Sequence, residues 1–223
     1  MSTNKLKTIH LLWPTIRPQK MMETHKHWIN NAVHPTNIKT KIAVNTKEHR
    51  QLLPDFKDVL VVGDDRRGPA YPAFKLGRAV EGKKDDIIIL ASDDFFAPPK
   101  WDVWLCGQFN DFDGAIIVDD GYQYGGCITI PIMTMKTLIK LNRIIYNPVY
   151  TWMYSDVELF NNLKELKCVR DLRKSDCPVF EHKHWANGKR KTDNHDQVGL
   201  KAGGKDAGLY HKRMNMTLAE RLK

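Results

Sequence analysis

An alternation of short apolar segments with helical ones constrains the fold of this chain more than any other feature. Strands are predicted at Thr8–Trp13, Lys39–Asn45, Asp58–Val62 and Asp86–Ala91. Helices are predicted between them, at Lys20–Val33, Lys47–Leu53 and Ala73–Glu81. This spacing is typical of a largely parallel sheet with helices on both faces, and the fully apolar fourth strand suits a strand that is covered on both sides. The sequence therefore predicts an α/β fold with a Rossmann-like mixed, mostly parallel sheet.

The carboxyl ends of these strands are the expected ligand-binding edge. In such sheets ligands bind beyond the carboxyl ends of the strands, so the loops after Trp13, Asn45, Val62 and Ala91 should share one rim. The second half is less regular, with predicted strands at Gly114–Val118 and Gly126–Ile132 and predicted helices at Thr134–Asn142 and Asp156–Leu166. After Lys167 no pattern is readable. A length of 223 residues fits a single domain.

Composition excludes several classes of protein. Hydrophobic residues make up 42% of the chain, which is too many for a disordered protein. No apolar run approaches the roughly 20 residues of a membrane-spanning helix, and the first residues do not resemble a secretory signal. The four cysteines lack CxxC spacing, which argues against a zinc ribbon and fits reduced thiols. We therefore expect a soluble cytoplasmic protein.

Three polar motifs can carry chemistry. Asp93 and Asp94 directly follow the fourth strand, where hard oxygen ligands suit Mg²⁺ or Mn²⁺ and would bridge to phosphate; an acidic turn that caps the strand is the alternative. Asp156 begins a predicted helix, where it can cap the helix or serve as a general base. His182 and His184 alternate along an extended segment, so they should point to the same side, either as metal ligands or as surface residues.

The order of these motifs resembles that of GT-A-fold glycosyltransferases, particularly the family-2-like branch. Ser92–Asp94, followed by prolines and Trp101, is similar to the DxD region of that family. Pro14–Pro18 resembles its first loop, and Ala73–Gly77 resembles its A-x-N-x-G helix start with Lys75 in place of Asn. The resemblance runs from about Thr8 to Arg213. It implies one glycosyltransferase domain over residues 1–223, with a nucleotide-sugar-binding half (1–105) and an acceptor half (106–223) that ends in a basic segment.

The resemblance also implies roles for individual residues. Asp156 would deprotonate the acceptor hydroxyl, and a single displacement would invert the anomeric configuration. Mn²⁺ or Mg²⁺ would be held by Asp93 and Asp94 with His182 or His184, and His184 is slightly preferred. The residues expected to bind the nucleoside diphosphate sugar are Pro14, Thr15, Arg17, Asn45, Asp64, Lys75, Ser92 and Asp93.

Charge suggests the acceptor. The net charge is +9, and basic residues are concentrated between Glu181 and Arg213, which draws the protein to polyanions. Our preferred acceptor is a hydroxymethylated base in DNA, which offers a primary hydroxyl and would be flipped out of the duplex, as for phage DNA-modifying glycosyltransferases in a host cytoplasm. The residues expected to contact the acceptor are Trp101, Gly125, Gly126, Trp152, Lys189, Arg190 and Lys191.

Three other functions compete with this one. Whatever its acceptor, the enzyme is expected to be a hexosyl- or pentosyltransferase, and the first competing function is transfer to a glycan or lipopolysaccharide. The second is a non-enzymatic nucleic-acid-binding domain, which leaves the acidic and histidine motifs unexplained. The third is a nucleotidyltransferase, which would need a GxG-x-R-K loop after the first strand that the sequence lacks.

Overall fold

The structure, a computed structural model, describes residues 6–63, 68–122, 125–192 and 194–223. Its strands are β1 (Ile9–Thr15), β2 (Ile38–Val44), β3 (Val59–Val61), β4 (Ile87–Leu90), β5 (Phe95–Phe96), β6 (Ala115–Ile117), β7 (Ile132–Thr134), β8 (Val169–Asp171) and β9 (Glu181–His182). Its α-helices are α1 (Pro18–Asn30), α2 (Lys47–Gln51), α3 (Ala70–Ala79), α4 (Trp101–Gln108), α5 (Met135–Lys140), α6 (Ser155–Glu165), α7 (Asn194–Met214) and α8 (Leu218–Arg221).

A seven-stranded sheet organises the molecule as one domain, in the order β3-β2-β1-β4-β7-β6-β8. The first four of these strands are parallel, β7 is antiparallel to both of its neighbours, and β8 runs parallel to β6. The predicted mixed, mostly parallel sheet is therefore confirmed. The carboxyl ends of β1, β2, β3 and β4 lie along one edge, as the spacing of the strands indicated.

Alternate side chains of the central strands feed two cores, one on each face of the sheet. Leu11 and Ile89 face α1 and α4, where they join Trp28 and Trp101. Their neighbours Leu12 and Ile88 face the opposite side, where α3, α5 and α6 contribute residues such as Leu76, Leu138 and Leu159. Burial on both faces explains why β4 is a continuous apolar run.

Two predicted strands had wrong bounds, and one helix was not predicted. β1 continues through Pro14 to Thr15 instead of stopping at Trp13; Pro14 lies beyond Leu12, the last residue paired with β4, so its missing N–H is tolerated at the end of that ladder. The predicted strand Gly126–Ile132 is mostly loop, and the strand β7 begins where that prediction ended. Beyond Lys167, where no pattern was readable, the chain forms the 21-residue helix α7.

None of the helices in the described ranges combines the length and the hydrophobicity that a membrane crossing requires.

Candidate active site

The two acids after β4 face different partners. Asp93 forms a bidentate ion pair with Arg17, whose Nε and Nη2 donate to the carboxylate at 2.7 and 2.6 Å. Asp94 instead accepts from the Ser92 hydroxyl at 2.5 Å, and its Oδ2 lies 3.6 Å from Nε2 of His182. Both aspartates are 6% exposed. Asp93 is therefore already neutralised by the loop after β1, while Asp94 is the acid that faces the histidine motif.

A short second sheet brings the histidines to Asp94. β5 pairs antiparallel with β9, which sets Phe95 opposite His182, and the His182 ring stacks on Phe95 with centroids 4.0 Å apart. The backbone N–H of Lys183 donates to the carbonyl of Asp94 at 2.8 Å. The ring of His184 lies 4.9 Å from that of His182. The chain segment at 181–184 is thus fixed against the carboxyl end of β4.

The protonation of this cluster follows from its charges. Burial opposes ionisation of Asp94, yet His182 and Ser92 hold its pKa well below the ordinary value. Burial also raises the pKa of Asp93, which the positive charge of Arg17 only partly offsets. Burial would lower the pKa of His182, but Asp120 and Asp94 raise it instead. Burial and the neighbouring charge of His182 lower the pKa of His184.

The fit of a divalent metal rests on Asp94 and His182. Among the described residues, no group of three or more His, Cys, Asp and Glu side chains is arranged to hold a metal ion. The 3.6 Å between Asp94 Oδ2 and His182 Nε2 is nevertheless less than twice a metal–ligand distance of about 2.1 Å, so one ion can contact both. The buried Nδ1 of His182 has no hydrogen-bond partner. A carboxylate and an imidazole suit Mn²⁺, with the remaining positions left to substrate and water.

This geometry distinguishes the four predicted metal ligands. Asp94 and His182 face each other. Asp93 is held by Arg17. Nδ1 of His184 accepts a hydrogen bond from the N–H of Ala186 at 3.2 Å. The arrangement favours His182 as the partner of Asp94, whereas the family resemblance slightly favours His184.

Asp156 lies in the first turn of α6 and is partly buried. Burial raises the pKa of Asp156, although the N–H of Val157, at 2.9 Å, stabilises the carboxylate. The phenol of Tyr146 and the thiol of Cys127 are close enough for the charge of Asp156 to raise the pKa of both, after the larger effect of burial. A carboxylate with a raised pKa is suited to accept a proton near neutral pH.

Most of the predicted donor-binding residues that the structure describes lie at or just after the carboxyl end of a strand. Thr15 accepts the N–H of Arg17 at 2.9 Å, and Asn45, 1% exposed, follows the end of β2. Pro14 is partly buried, and Lys75 is exposed on α3 with its ammonium 5.5 Å from the ring of Tyr71. Asp64 lies outside the described residues. Ser92 and Asp93 occupy the end of β4 described above.

The residues predicted to contact the acceptor differ in how exposed they are. The prediction for Trp101 is wrong, because its side chain is 0% exposed and donates to the carbonyl of Trp28. Trp152 is partly buried, and its ring packs against α7 at Gly199, where an added Cβ would come within 3.3 Å. Gly125 and Gly126 are exposed, and an added Cβ at Gly126 would lie 3.3 Å from the ring of Phe160 in α6.

The three basic residues at 189–191, predicted to contact the acceptor, have different surroundings. Arg190 makes a bidentate pair with Asp196 at 2.6 and 2.7 Å, its Nη2 lies 3.9 Å from Asp94, and its side chain is 15% exposed. Lys189 is exposed and pairs with Glu181 at 3.1 Å, and Lys191 is exposed. Arg190 therefore belongs to the cluster around Asp94 and not to an outer surface.

One residue of the cluster was missed. Asp120 is 1% exposed, and its carboxylate lies 3.7 Å from Nδ1 of His182. The sequence carried a signal for it, because Asp119 and Asp120 follow the predicted strand Gly114–Val118 in the way that Asp93 and Asp94 follow theirs. A pair of acids after a second predicted strand indicates a second acidic group at the same edge of the sheet.

The solved structures that share this fold include glycosyltransferases. No protein-family model and no curated protein matches the sequence. A crystal structure of residues 1–349 of TarS from S. aureus aligns over 93% of this chain and 73% of its own, with a TM-score of 0.59 and 13% identity. The chain spans only 36% of a longer TarS structure, with a TM-score of 0.58.

Two other neighbours were solved with donor and metal. A Drosophila β-1,4-galactosyltransferase 7 mutant in complex with manganese, UDP-Gal and xylobiose gives a TM-score of 0.56 at 14% identity, covering 86% of this chain and 79% of its own. The mannosyltransferase PcManGT from Pyrobaculum calidifontis, in complex with GDP-Man and Mn²⁺, gives 0.55 at 13% identity, covering 98% and 72%. The expected GT-A-type fold is thereby confirmed.

Proposed function

We propose that this protein is a metal-dependent glycosyltransferase that moves a sugar from a nucleoside diphosphate sugar to a hydroxyl acceptor. One observation carries the proposal: Asp94, buried and strongly acidic, faces His182 at the carboxyl end of β4 in a GT-A-type fold. Residues 1–105 would hold the donor and residues 106–223 would complete the acceptor side. Donor binding is proposed for the residues predicted from the sequence: Pro14, Thr15, Arg17, Asn45, Asp64, Lys75, Ser92 and Asp93.

The metal, Mn²⁺ or Mg²⁺, would be held by Asp94 and His182. When bound, such an ion neutralises charge that develops on a departing diphosphate. Asp93 and Arg17 would lie beside the metal without binding it, because each is already engaged in their bidentate ion pair. This assignment needs no ligand from His184.

Asp156 would act as the general base. The acceptor oxygen attacks the anomeric carbon, its proton passes to the Asp156 carboxylate, and the bond between that carbon and the diphosphate oxygen breaks. The nucleoside diphosphate leaves with the bonding electrons. One displacement of this kind inverts the anomeric configuration, and the raised pKa of Asp156 matches a base that works near neutral pH.

For the acceptor we propose DNA with a hydroxymethylated base. Its phosphate backbone would lie along α7, where three lysines share one side of the helix. Lys201, Lys205 and Lys212 are exposed on α7, four and seven residues apart, which puts them about 6 and 10 Å apart along one side of the helix. Of the two acids in α7, Asp206 is buried and Asp196 is paired with Arg190. An outer helix face with this charge suits a phosphate backbone.

A saccharide acceptor is the second candidate, as a hexosyl or pentosyl transfer to a glycan. The observation in its favour is that the Drosophila neighbour was crystallised with xylobiose as well as UDP-Gal. That acceptor would not need the lysines of α7.

The test is transfer from a panel of UDP- and GDP-sugars with Mn²⁺ to three acceptors: DNA with 5-hydroxymethylcytosine or 5-hydroxymethyluracil, unmodified DNA, and xylobiose. Transfer to the hydroxymethylated DNA alone is expected. Replacing Lys201, Lys205 and Lys212 with Ala should weaken DNA binding and lower its salt slope by about 0.9 for each lost contact. The matched control replaces Lys57, Lys83 and Lys84, which are exposed on loops that enter β3 and β4 at the opposite edge.

Each result decides between the candidates. Transfer to xylobiose but not to DNA would replace the DNA acceptor with the glycan one. Equal salt slopes for the two triple variants would remove α7 from acceptor binding. Absence of both donor binding and transfer, with every sugar of the panel, would overturn the enzyme proposal.

A further inference from the structure

A buried carboxylate of α7 holds the loop that leads into α6. Asp206 is 0% exposed, and it accepts hydrogen bonds from three consecutive backbone N–H groups: Thr151 at 3.2 Å, Trp152 at 2.8 Å and Met153 at 2.9 Å. These groups are more than fifty positions away in the sequence. Hydrogen bonds from backbone N–H to an ionised carboxylate are among the strong ones in proteins, so Asp206 fixes the path of this loop.

The loop needs such a restraint because its last residue is strained. Tyr154 has φ of +67°, a left-handed conformation in a residue other than glycine, and α6 has no side-chain cap at this position. Conformations of this kind persist only where the surroundings impose them. Here the ring of Tyr154 stacks on Tyr210 of α7 with centroids 5.2 Å apart. Asp156 follows Tyr154 by two residues.

The other side of the loop is packed as closely. Gly68, with φ of +56°, lies so near Thr151 that an added Cβ would come within 1.9 Å of its carbonyl oxygen. Trp152 packs on Gly199 of α7. The loop is thus enclosed between the segment that precedes α3 and the inner face of α7, and its polar backbone is satisfied by Asp206.

We propose that Asp206 is a positioning residue for transfer, which holds residues 151–153 so that Asp156 stands at the start of α6 in the orientation needed to take the proton of the acceptor. The inference rests on the proposed function, because it assigns Asp206 to the same reaction. Asp206 does not touch the reacting atoms. Its effect would pass through the three N–H groups and Tyr154, and a base misplaced by about 1 Å can lose about 100-fold in rate.

Asp206→Asn tests this, because it removes the negative charge and replaces one of the two acceptor oxygens with an NH₂ group, which donates instead of accepting. The three N–H groups then lose a charge-assisted partner and keep at most one neutral acceptor. The matched control is Asp102→Asn. Asp102 is also buried, at 3% exposed, and accepts from the N–H groups of Val33 at 2.9 Å and His34 at 2.7 Å. It therefore has the same kind of structural role, on the core that faces away from α6.

The expected result separates position from stability. Both variants should lower the melting temperature and keep the affinity for the nucleoside diphosphate and KM for the donor. Only Asp206→Asn should lower kcat, by roughly 10- to 100-fold. Its acid limb in the pH–rate profile should also move to lower pH, because a loosened loop admits water and reduces the burial that raises the pKa of Asp156. Amide hydrogen exchange at residues 151–153 should accelerate.

Several outcomes would overturn the proposal. These are equal losses of kcat in the two variants, a kcat within about twofold of the parent for Asp206→Asn, or an unmoved acid limb. If Asp206→Asn does not fold, Tyr210→Ala removes the stack on Tyr154 and must show the same loss of kcat with unchanged donor KM. A parent protein that transfers no sugar would instead overturn the proposed function, and the exchange rates, measured without substrate, would still report whether Asp206 holds the loop.

Discussion

The most quantitative prediction concerns Glu158, two residues after the proposed base. Its side chain is 2% exposed and accepts from Nε and Nη2 of Arg213 at 2.7 and 2.9 Å and from the hydroxyl of Tyr150 at 2.6 Å. Arg213 is itself only 8% exposed. Glu158→Gln would remove the negative charge and leave the guanidinium buried without a counter-charge.

The size of the effect follows from that burial. Loss of one partner of a buried ion pair costs about 3–5 kcal/mol, and Gln keeps one acceptor oxygen, so we expect the lower value. For a chain of 150–250 residues each kcal/mol shifts the melting temperature by about 2–4 °C. A fall of roughly 6–12 °C is therefore expected in thermal unfolding followed by circular dichroism.

The control is Glu165→Gln, on the same helix. Glu165 pairs with Arg221, but its side chain is 51% exposed. Arg221 retains bonds to Asn162 Oδ1 at 2.8 Å and to the Met216 carbonyl at 2.7 Å. The side chain of Arg221 is only 5% exposed, like that of Arg213, but its carboxylate partner is half exposed to water, which screens the pair. A contribution of about 1 kcal/mol, the upper value for exposed pairs, keeps the expected shift below about 4 °C. A shift for Glu158→Gln no larger than that of Glu165→Gln would refute the argument from burial.

Two further predictions test the chemistry. Asp94→Ala should abolish metal-dependent binding of a nucleoside diphosphate in calorimetry while the circular dichroism spectrum is retained; nucleotide affinity that is unchanged by the substitution and by a chelator would place the site elsewhere. Asp156→Asn should keep donor binding and lower kcat by roughly 10²–10⁴-fold. Since the base must be ionised, the parent activity should rise with pH through a pKa above the ordinary aspartate value, as burial requires. This limb should vanish in Asp156→Asn, and near-normal turnover would leave that residue only a capping role.

The strand end that carries Asp93 and Asp94 was predictable from the sequence because the information for it is local. A continuous apolar strand followed at once by Asp93 and Asp94 defines both the element and the position of the acids, and the sheet β3-β2-β1-β4 followed from the spacing of its strands. Partner choice was not local. Arg17 holds Asp93 in an ion pair, and the pairing of β5 with β9 brings His182 to Asp94. Neither contact can be predicted from the spacing of the motifs, because each joins residues that are far apart in the sequence.

The helix α7 could not be predicted for a different reason. It contains four glycines, at 199, 203, 204 and 208, each of which costs about 1 kcal/mol relative to alanine in a helix. Tertiary contacts outweigh that cost. Gly199 leaves room for the ring of Trp152, and Gly203 lies near the side chain of Met153. These two glycines lower the helix propensity of the segment, but they let the helix approach the loop.

The distribution of charge indicates which surface of the protein would attract a polyanionic acceptor. The segment from Glu181 to Arg213 carries eight basic and four acidic residues, but a count of charges does not say which of them face solvent. Arg190 and Arg213 pair with Asp196 and Glu158, and Lys189 pairs with Glu181. The exposed positive charge is then carried by Lys183 and Lys189, which share the one carboxylate of Glu181, by Lys191, and by the outer face of α7. The inner face of α7 holds the loop before Asp156 through Asp206. The helix α7 would thus link the surface that attracts a polyanion to the loop that positions the base. Replacing Lys201, Lys205 and Lys212 with Ala should therefore change the affinity for the acceptor. The pH dependence of transfer should stay the same, because Asp206 still holds the loop.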